Sequence, residues 1–493
     1  PKLGEYERTT SVAIDTYIGP TVSDYIKRIQ RGLIDRGYDG TLLIMETGGG
    51  VVPGDTASEE PLRTIHSGPA GGIIGCNHLG RMLSHDNVIA ADMGGTSFDV
   101  GLIADGEPIS NPTDVADQYE FLARNLGVET IGSGGGSIAH VETQTGRLRV
   151  GPESAGADPG PVCYDRGGTE PTVTDADVLL GIIDPEYFLG GTMELNKSLA
   201  EDAIAELGES LGMSAMNTAS GIVRIANEKM ADMSRELILR KGYDPRNFVL
   251  YSYGGAGPMH AADVARELGV ETVVIPGGNA SGVWSAYGIG ISDVRHTREI
   301  SQVMSYPFDT EVLSDAFERL ERELEEQLRS EGFDDDETEI NRFADIRFGW
   351  QIHELSVPVP DGRLDQDDVD EMIDRFETRY EGLYGEGSTY SEAGYDLTVA
   401  WCRATGQTRK PHIMKTEPTS DEPSPETTRE IFWPTSTEMR TTSVYHPADL
   451  EPGMAFDGPA IVQMDDTTIS VPPEDHCRID GHENFVLRIG GGA

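Results

Sequence analysis

Two aspartates and two hydroxyl residues flank a glycine pair in residues 91–100, which read Ala-Asp-Met-Gly-Gly-Thr-Ser-Phe-Asp-Val. The apolar residues 88–90 predict a short buried strand with Asp92 at its carboxyl end, and residues 97–102 predict the returning strand. Glycine lets backbone N–H groups approach phosphate oxygens, hydroxyls donate to those oxygens, and a carboxylate holds Mg²⁺ directly or through water. The pattern therefore favours a nucleotide site over an ordinary glycine-rich hairpin.

Other glycine loops also follow predicted strands. Loops 48–50 and 254–258, like Gly94-Gly95, lie at the carboxyl ends of predicted strands, where open α/β sheets bind ligands, so the three can converge on one cleft. Loop 254–258 opens a predicted helix, whose N-terminus favours anionic groups. The run 132–136 lacks the spacing of a dinucleotide-binding loop, and no segment matches the G-x-x-x-x-G-K-S/T phosphate loop.

Three further polar residues stand close to these loops. His66 and His140 could act as acid/base groups, although a structural role is favoured for each. Asp175 stands just before a predicted helix, where an N-cap role is favoured over a catalytic one.

The charge balance is strongly acidic. The chain has 85 Asp and Glu against 38 Lys and Arg, a net charge of -47, and only seven of the cations are Lys. At molar salt the Debye length falls to about 3 Å, which screens the repulsion between such charges. We therefore expect a protein from the salt-rich cytoplasm of a halophile. The absence of a basic stripe argues against nucleic-acid binding.

Length and cysteine usage predict a cytoplasmic protein of two or three domains. The 493 residues contain no signal peptide and no long apolar run, which argues against a membrane protein. The four cysteines are far apart and form no C-x-x-C pair, so buried thiols are expected rather than disulfides or a zinc site. The chain starts at Pro1 without Met, so we expect it to be a fragment or a trimmed product.

The order of predicted elements divides the chain near residue 300. Residues 1–300 alternate strands with helices, including predicted helices over 21–36 and 218–240, and form an α/β body. Residues 301–493 predict an α+β domain that begins with an amphipathic helix around 313–328. Within this second domain, residues 406–440 are rich in Pro, Thr, Ser and Glu, which predicts an exposed loop.

A series of ordered motifs resembles the hydantoinase A/5-oxoprolinase family, which also contains acetone and acetophenone carboxylase subunits. The motifs of the first 295 residues are His66-Ser-Gly-Pro-Ala-Gly-Gly72, Asp92-Met-Gly-Gly-Thr-Ser97, the loop 131–137, Val150-Gly-Pro-Glu-Ser-Ala-Gly156, Gly168-Thr-Glu-Pro-Thr-Val-Thr-Asp-Ala176 and Tyr253-Gly-Gly-Ala-Gly-Pro-Met-His-Ala261. Two later segments, Gly349-Trp-Gln-Ile-His-Glu-Leu355 and Gly458-Pro-Ala-Ile-Val462, resemble its C-terminal region.

The resemblance implies an actin/sugar-kinase/Hsp70-like (ribonuclease H-like) ATPase core. In that fold two phosphate hairpins from two lobes grip ATP and Mg²⁺, with Mn²⁺ or K⁺ as alternative ions. Asp92 and its hairpin correspond to the second. The first, an Asp-x-Gly-Gly-Thr hairpin near the family N-terminus, has no counterpart in this sequence, so an incomplete first lobe is expected.

On this resemblance, individual residues receive expected roles. Asp92 organises Mg²⁺ and water as metal ligand and catalytic carboxylate, and Asp99 is either a second metal carboxylate or a structural partner. The other residues expected to bind the nucleotide are Gly94, Gly95, Thr96, Ser97, Gly134, Gly135, Gly254, Gly255 and Gly257.

The expected reaction is phosphoryl transfer to an unreactive oxygen, by positioning and charge neutralisation. The resemblance implies ATP-dependent opening of a cyclic amide such as a hydantoin or 5-oxoproline, in a hetero-oligomer with a B-type subunit. ATP-dependent carboxylation of a ketone remains open, as does an inactive ATP-binding scaffold subunit, which the missing first hairpin suggests.

Overall fold

The computed structural model describes residues 4–116, 118–277, 280–411 and 415–490. The chain divides into two compact units, each assembled from separate segments. Unit 1 comprises Pro1–Gly71, Ser110–Leu126 and Ile289–Pro411, and unit 2 comprises Gly72–Ile109, Gly127–Gly288 and His412–Ala493. Both units take segments from each side of residue 300, so they differ from the linear division predicted from the sequence.

The elements are numbered along the chain. The α-helices are α1 (Glu5–Ile34), α2 (Gly54–Glu59), α3 (Ser67–Leu83), α4 (Val173–Leu180), α5 (Lys197–Leu211), α6 (Ala215–Arg240), α7 (Gly257–Leu268), α8 (Trp284–Gly290), α9 (Thr310–Ser330) and α10 (Gln366–Tyr384). Short 3₁₀ turns lie at Pro61–Thr64, Val162–Tyr164, Pro245–Asn247, Ser281–Val283, Asp335–Glu337, Ser391–Ala393 and Pro447–Asp449.

The β-strands are also numbered in chain order. They are β1 (Leu43–Met45), β2 (Val51–Pro53), β3 (Val88–Met93), β4 (Phe98–Ala104), β5 (Glu107–Pro108), β6 (Ser110–Asn111), β7 (Asp114–Ala116), β8 (Tyr119–Phe121), β9 (Asn125–Leu126), β10 (Glu129–Ile131), β11 (Ser137–Val141), β12 (Leu148–Ser154), β13 (Val249–Tyr253), β14 (Thr272–Ile275), β15 (Val294–Ser305), β16 (Thr338–Phe348), β17 (Leu355–Val359), β18 (Tyr395–Gly406), β19 (Thr427–Ile431), β20 (Arg440–Tyr445), β21 (Ala455–Asp457), β22 (Ala460–Gln463), β23 (Thr468–Val471), β24 (His476–Ile479) and β25 (Phe485–Arg488).

The main sheet of unit 2 has the strand order β10-β4-β3-β13-β14-β25-β24-β21, with β5 beside β4. Strands β3, β13 and β14 run parallel, and β4 returns antiparallel to β3. Nearly all residues of β3 and β13 are buried, as expected of central parallel strands, and α7 packs against both. Because β3 and β13 are parallel neighbours, the segments that follow them emerge at the same edge of the sheet.

The sheet of unit 1 has the order β1-β2-β15-β18-β16-β17. Helix α9 packs against β15, β16 and β18, and α10 packs against β17. The apolar residues that α9 buries recur every three or four positions: Leu313, Phe317, Leu320, Leu324 and Leu328. The amphipathic helix predicted around 313–328 is therefore confirmed.

The other predicted helices are confirmed with changed limits. The helix expected over 218–240 is α6, which begins three residues earlier at Ala215. The helix expected from Thr21 is α1, which begins at Glu5 and buries only Ile26 among its described residues. A helix that buries so little lacks the apolar periodicity from which its start could be found.

The exposed loop predicted at 406–440 is only partly correct. The described residues of 407–426 form no helix or strand and are mostly exposed. Strand β19 then begins at Thr427, and Ile431, Phe432 and Trp433 are buried in a hydrophobic cluster. Because the segment as a whole is polar in composition, the sequence did not indicate that this short apolar run is buried.

The four cysteines are buried free thiols, as predicted. Among the helices of the described residues, none has both the length and the apolar character needed to cross a membrane.

Candidate functional site

The hairpin of β3 and β4 places its two carboxylates opposite each other. Asp92 and Asp99 are cross-strand partners, and the Gly94 N–H closes the turn by donating to the Ser97 carbonyl at 3.2 Å. A Cβ added at Gly94 or Gly95 would meet no atom within 4 Å. The backbone of this turn therefore faces open space that a ligand can enter.

The two carboxylates have different surroundings. Burial raises the pKa of Asp92 to about 6, against a hydrogen bond that it accepts from the Ser285 hydroxyl at 3.1 Å. Asp99 accepts hydrogen bonds from the hydroxyls of Ser97 and Thr130. Asp92 is thus a poorly solvated carboxylate that is charged at neutral pH and suited to a cation. The bonds of Asp99 favour a structural role, and its metal role stays a prediction.

The glycine loop before β11 packs directly against the hairpin turn. The Gly135 N–H donates to the Gly94 carbonyl at 3.1 Å, and the Gly136 N–H donates to the Gly95 carbonyl at 2.7 Å. A Cβ at Gly134 would lie 2.6 Å from the Thr96 nitrogen, so only glycine permits this approach. The structure therefore brings together two loops that the sequence could only assign separately to nucleotide binding.

Helix α4 starts against the same loop. Thr174 bonds the Gly135 carbonyl through its N–H at 2.7 Å and its hydroxyl at 2.9 Å. Thr172 is the N-cap, and Asp175 lies at the third helical position of a capping box with it. The N-cap role predicted for Asp175 is therefore wrong, because this carboxylate caps from inside the first turn. Asp175 also accepts the backbone N–H groups of Val162 and Cys163, which gives it a structural role.

The loop after β13 reaches the hairpin from its other side. Tyr253 pairs with Asp92 in the parallel register, and Gly254 follows with a φ of +84°. A Cβ at Gly254 would lie 2.3 Å from Asp92 Oδ1, and the Ala256 N–H donates to the Met93 carbonyl at 2.9 Å. Glycine is therefore required here by both backbone conformation and contact.

These loops share one cavity. It encloses about 160 Å³ in unit 2 and is lined by Gly94, Gly95, Gly135 and Gly255. The rest of the wall comes mainly from segments 183–189 and 463–468. The described residues that line the cavity do not include the remaining predicted site residues, which are Asp92, Thr96, Ser97, Asp99, Gly134, Gly254 and Gly257. They lie in the same hairpin and loops as the glycines that line it.

The other candidates from the sequence, which are loop 48–50 and two histidines, do not line the described part of this cavity. The loop 48–50 belongs to unit 1. His66, also in unit 1, approaches Asp114 at 3.2 Å, and His140 lies on β11 opposite Arg149 of β12. Among the described residues, neither histidine lines the cavity of unit 2.

Sequence reasoning missed three parts of the site. Ser285 reaches Asp92 from α8, nearly 200 positions away. The segment 183–189 and the turn 463–468 form cavity walls although neither is rich in glycine. The aspartates and threonines of residues 465–468, which interrupt an apolar stretch, were the available signal for the turn.

The residues present fit a nucleotide with Mg²⁺. In the described part of the chain, no three His, Cys, Asp or Glu side chains form a metal cluster. Mg²⁺ commonly takes one or two carboxylates and completes its shell with phosphates and water. Asp92 offers such a carboxylate, and the open backbone at Gly94 and Gly95 leaves room for phosphates.

Comparison with known proteins agrees with the motifs. Residues 8–298 match the hydantoinase/oxoprolinase family, and residues 307–489 match the hydantoinase/oxoprolinase C-terminal domain. The chain therefore belongs to the hydantoinase/oxoprolinase family, as its sequence predicted.

Two curated relatives cover nearly the whole chain. The acetophenone carboxylase gamma subunit of Aromatoleum aromaticum is 36% identical over 99% of this chain and 67% of its own length. The caprolactamase subunit alpha of Pseudomonas jessenii is 34% identical over 99% of this chain and 71% of its own length.

Solved structures of similar proteins share the mixed α/β architecture. The ATP-dependent caprolactamase from Pseudomonas jessenii matches with a TM-score of 0.89 and 32% identity, covering 100% of this chain and 71% of that one. The nucleotide-free acetone carboxylase matches with a TM-score of 0.80 and 29% identity, covering 98% of this chain and 69% of that one.

Proposed function

We propose that this chain is the ATP-dependent subunit of a cyclic-amide hydrolase. It activates a hydantoin- or 5-oxoproline-type ring by phosphorylation, and a B-type subunit completes the ring opening. The observation that carries the proposal is the convergence of three glycine loops of unit 2 on one cavity, beside the half-buried Asp92. The actin/sugar-kinase/Hsp70-like core is part of the same proposal, and so is a cytoplasmic location.

The proposed chemistry is a displacement at the γ-phosphate of ATP. The carbonyl oxygen of the cyclic amide forms a bond to phosphorus, the bond to the β-phosphate oxygen breaks, and ADP leaves. Gly94 and Gly95 present backbone to the phosphates, and Thr96 donates a hydroxyl hydrogen bond to them. Ser97 does the same when its hydroxyl turns away from Asp99, to which it donates in this structure. Asp92 would hold Mg²⁺, which would supply charge neutralisation when bound. Positioning and charge neutralisation supply most of the catalysis in such transfers.

The division of labour follows from the reactivity of the product. An O-phosphorylated amide is labile, and water would destroy it if it were released, so it is passed on within a water-restricted complex. The sequence has one G-x-S-x-G match, residues 208–212, but it lies at the carboxyl end of helix α5 and not on the strand-to-helix turn that a nucleophile of this type needs. No Cys–His nucleophile signature is present for the hydrolytic step. Caprolactamase and acetone carboxylase relatives are named as subunits, which supports a hetero-oligomer.

A second candidate function is ATP-dependent carboxylation of a ketone. It is favoured by the 36% identity to the acetophenone carboxylase gamma subunit. The amide hydrolase is preferred because the caprolactamase structure matches more closely, with a TM-score of 0.89 against 0.80 for acetone carboxylase.

The test is co-purification of the full-length protein with the proposed B-type subunit in molar KCl. An ADP-release assay with lactams and ketones follows. We expect a stable complex, ADP release that depends on a cyclic amide, and strong stimulation by the B-type subunit. Ketone-dependent ADP release that requires bicarbonate would instead support the carboxylase. If this protein alone opened the ring as fast as it does together with the B-type subunit, the proposed division of labour would be wrong.

A further inference from the structure

Leu189 stands out among the residues that line the cavity of unit 2. Its φ is +52°, a left-handed conformation that leucine rarely adopts. Its side chain is 50% exposed although it lines the cavity. Backbone strain of this kind clusters at ligand-binding sites, and Leu189 combines it with an exposed apolar side chain in the cavity lining.

The surrounding segment keeps Leu189 at the cavity. Its carbonyl accepts hydrogen bonds from the Thr192 N–H at 3.2 Å and the Thr192 hydroxyl at 2.7 Å. Gly190 and Gly191 continue the left-handed turn with φ of +62° and +77°. The preceding Phe188 packs inward, with its ring centroid 5.8 Å from that of Tyr164. Phe188 and Tyr164 also line the cavity, but both are partly buried against a hydrophobic cluster, whereas Leu189 is exposed.

The cavity wall formed by the turn 463–468 is tied to this segment and to the glycine loops. The Tyr187 hydroxyl donates to Asp465 at 2.8 Å, and the Thr467 hydroxyl donates to the Gly255 carbonyl at 3.0 Å. Met464 of this wall and Met259 of α7 add apolar surface to the lining. The lining therefore combines the polar backbone of Gly94 and Gly95 with apolar side chains, which include Leu189, Phe188 and the two methionines.

We propose that Leu189 packs against the purine base of the bound nucleotide and forms the apolar wall that selects for a base. This inference rests on the proposed function, because it takes the Gly94-Gly95 backbone as the phosphate end. A planar heteroaromatic ring would cover the exposed half of Leu189 and remove that apolar surface from water.

The test compares ATP with inorganic tripolyphosphate, which has the phosphates but no base, each with Mg²⁺ in molar KCl. Leu189→Asn lowers ATP affinity about fivefold, since the apolar contact is lost, and leaves tripolyphosphate affinity unchanged. Asn tolerates the left-handed backbone, so the melting temperature stays the same. Leu189→Met keeps an apolar contact and retains most of the ATP affinity.

Asp105→Asn is the matched control. Asp105 has a nearly identical φ of +53°, is exposed, and lies outside the described lining of the cavity. This variant binds both probes like the wild type.

Three results would overturn the inference alone. They are an unchanged ATP affinity in Leu189→Asn, an equal loss for both probes, and a wild type that binds ATP no more tightly than tripolyphosphate. A wild type that binds neither probe would overturn the proposed function, and this inference with it.

Discussion

Each unit places a carboxylate at or just after the end of a strand and a glycine run beyond it, yet the glycines of the two loops face different surroundings. In unit 1, a Cβ at Gly50 would lie 2.3 Å from the Cβ of Arg295, and one at Gly48 would lie 3.3 Å from the Arg124 carbonyl oxygen. In unit 2, a Cβ at Gly94 or Gly95 would meet nothing within 4 Å. Packing within the protein explains the first loop, whereas the second has room for a ligand.

The two carboxylates sharpen this comparison. Burial raises the pKa of Glu46 to about 7, although Arg63 lowers it, and burial raises the pKa of Asp92 to about 6. Both carboxylates therefore have a raised pKa and lie beside a glycine loop, which are features expected of a functional site. Open space beside the backbone and the convergence of further loops distinguish Asp92, so a raised pKa alone does not define a functional site.

The largest expected effect is on turnover. Asp92→Asn in the full-length protein removes the carboxylate that would hold Mg²⁺, and should lower Mg²⁺-dependent ATP hydrolysis about a hundredfold or more while leaving the fold intact. ADP release and the melting temperature are the measurements, with Asp86→Asn as a control at an exposed position of the same unit. Turnover near the wild-type rate in Asp92→Asn would remove the central role given to this residue.

The paired glycines test the comparison itself. Gly50→Ala forces a Cβ into the Arg295 side chain near its backbone and should destabilise the protein by about 1–3 kcal/mol. Gly94→Ala meets no protein atom, so it should leave the melting temperature unchanged and weaken ATP binding. Thermal unfolding and ATP titration separate the two effects. If Gly94→Ala lost stability and kept its ATP affinity, the open space at the hairpin would have no link to a ligand.

These contrasts show what the sequence could and could not predict. The hairpin around Asp92 and the strand before Gly254 followed from local patterns, because apolar runs that end in glycine define strand and turn within a few residues. The sequence did not predict Ser285 or Leu189, because their roles depend on packing between distant segments. It grouped loop 48–50 with loops of unit 2, although that loop belongs to unit 1, because a glycine run needed for packing has the same sequence pattern as one that leaves room for a ligand.

Salt should act on both units through their shared acidity. The net charge of -47 predicts that stability rises steeply from low to molar KCl, by on the order of 10 °C in melting temperature, as repulsion is screened. Calorimetry across a KCl series measures this, with a sucrose series at low salt as the control for general solute effects. A melting temperature that stays flat with KCl would contradict the halophile interpretation.

A smaller effect concerns Glu46. Its folded pKa of about 7 lies above the ordinary value of 4.5, so the unfolded chain loses this proton first as pH rises. The folded state is therefore progressively destabilised between pH 4.5 and 7, and the full cost, roughly 1–3 kcal/mol, applies above pH 7. Glu46→Gln should remove that pH dependence and raise stability at pH 8, measured by denaturant unfolding. Loss of stability at pH 8 would show that the charged form is needed to hold Arg63, and would end the contrast with Asp92.

The most direct test of the account is a crystal structure of the protein with Mg²⁺ and a non-hydrolysable ATP analogue in molar KCl. The account predicts phosphates against the backbone of Gly94 and Gly95, the metal near Asp92, and the base in the cavity beside Gly255. A nucleotide bound instead at loop 48–50 of unit 1, with the cavity of unit 2 empty, would contradict it.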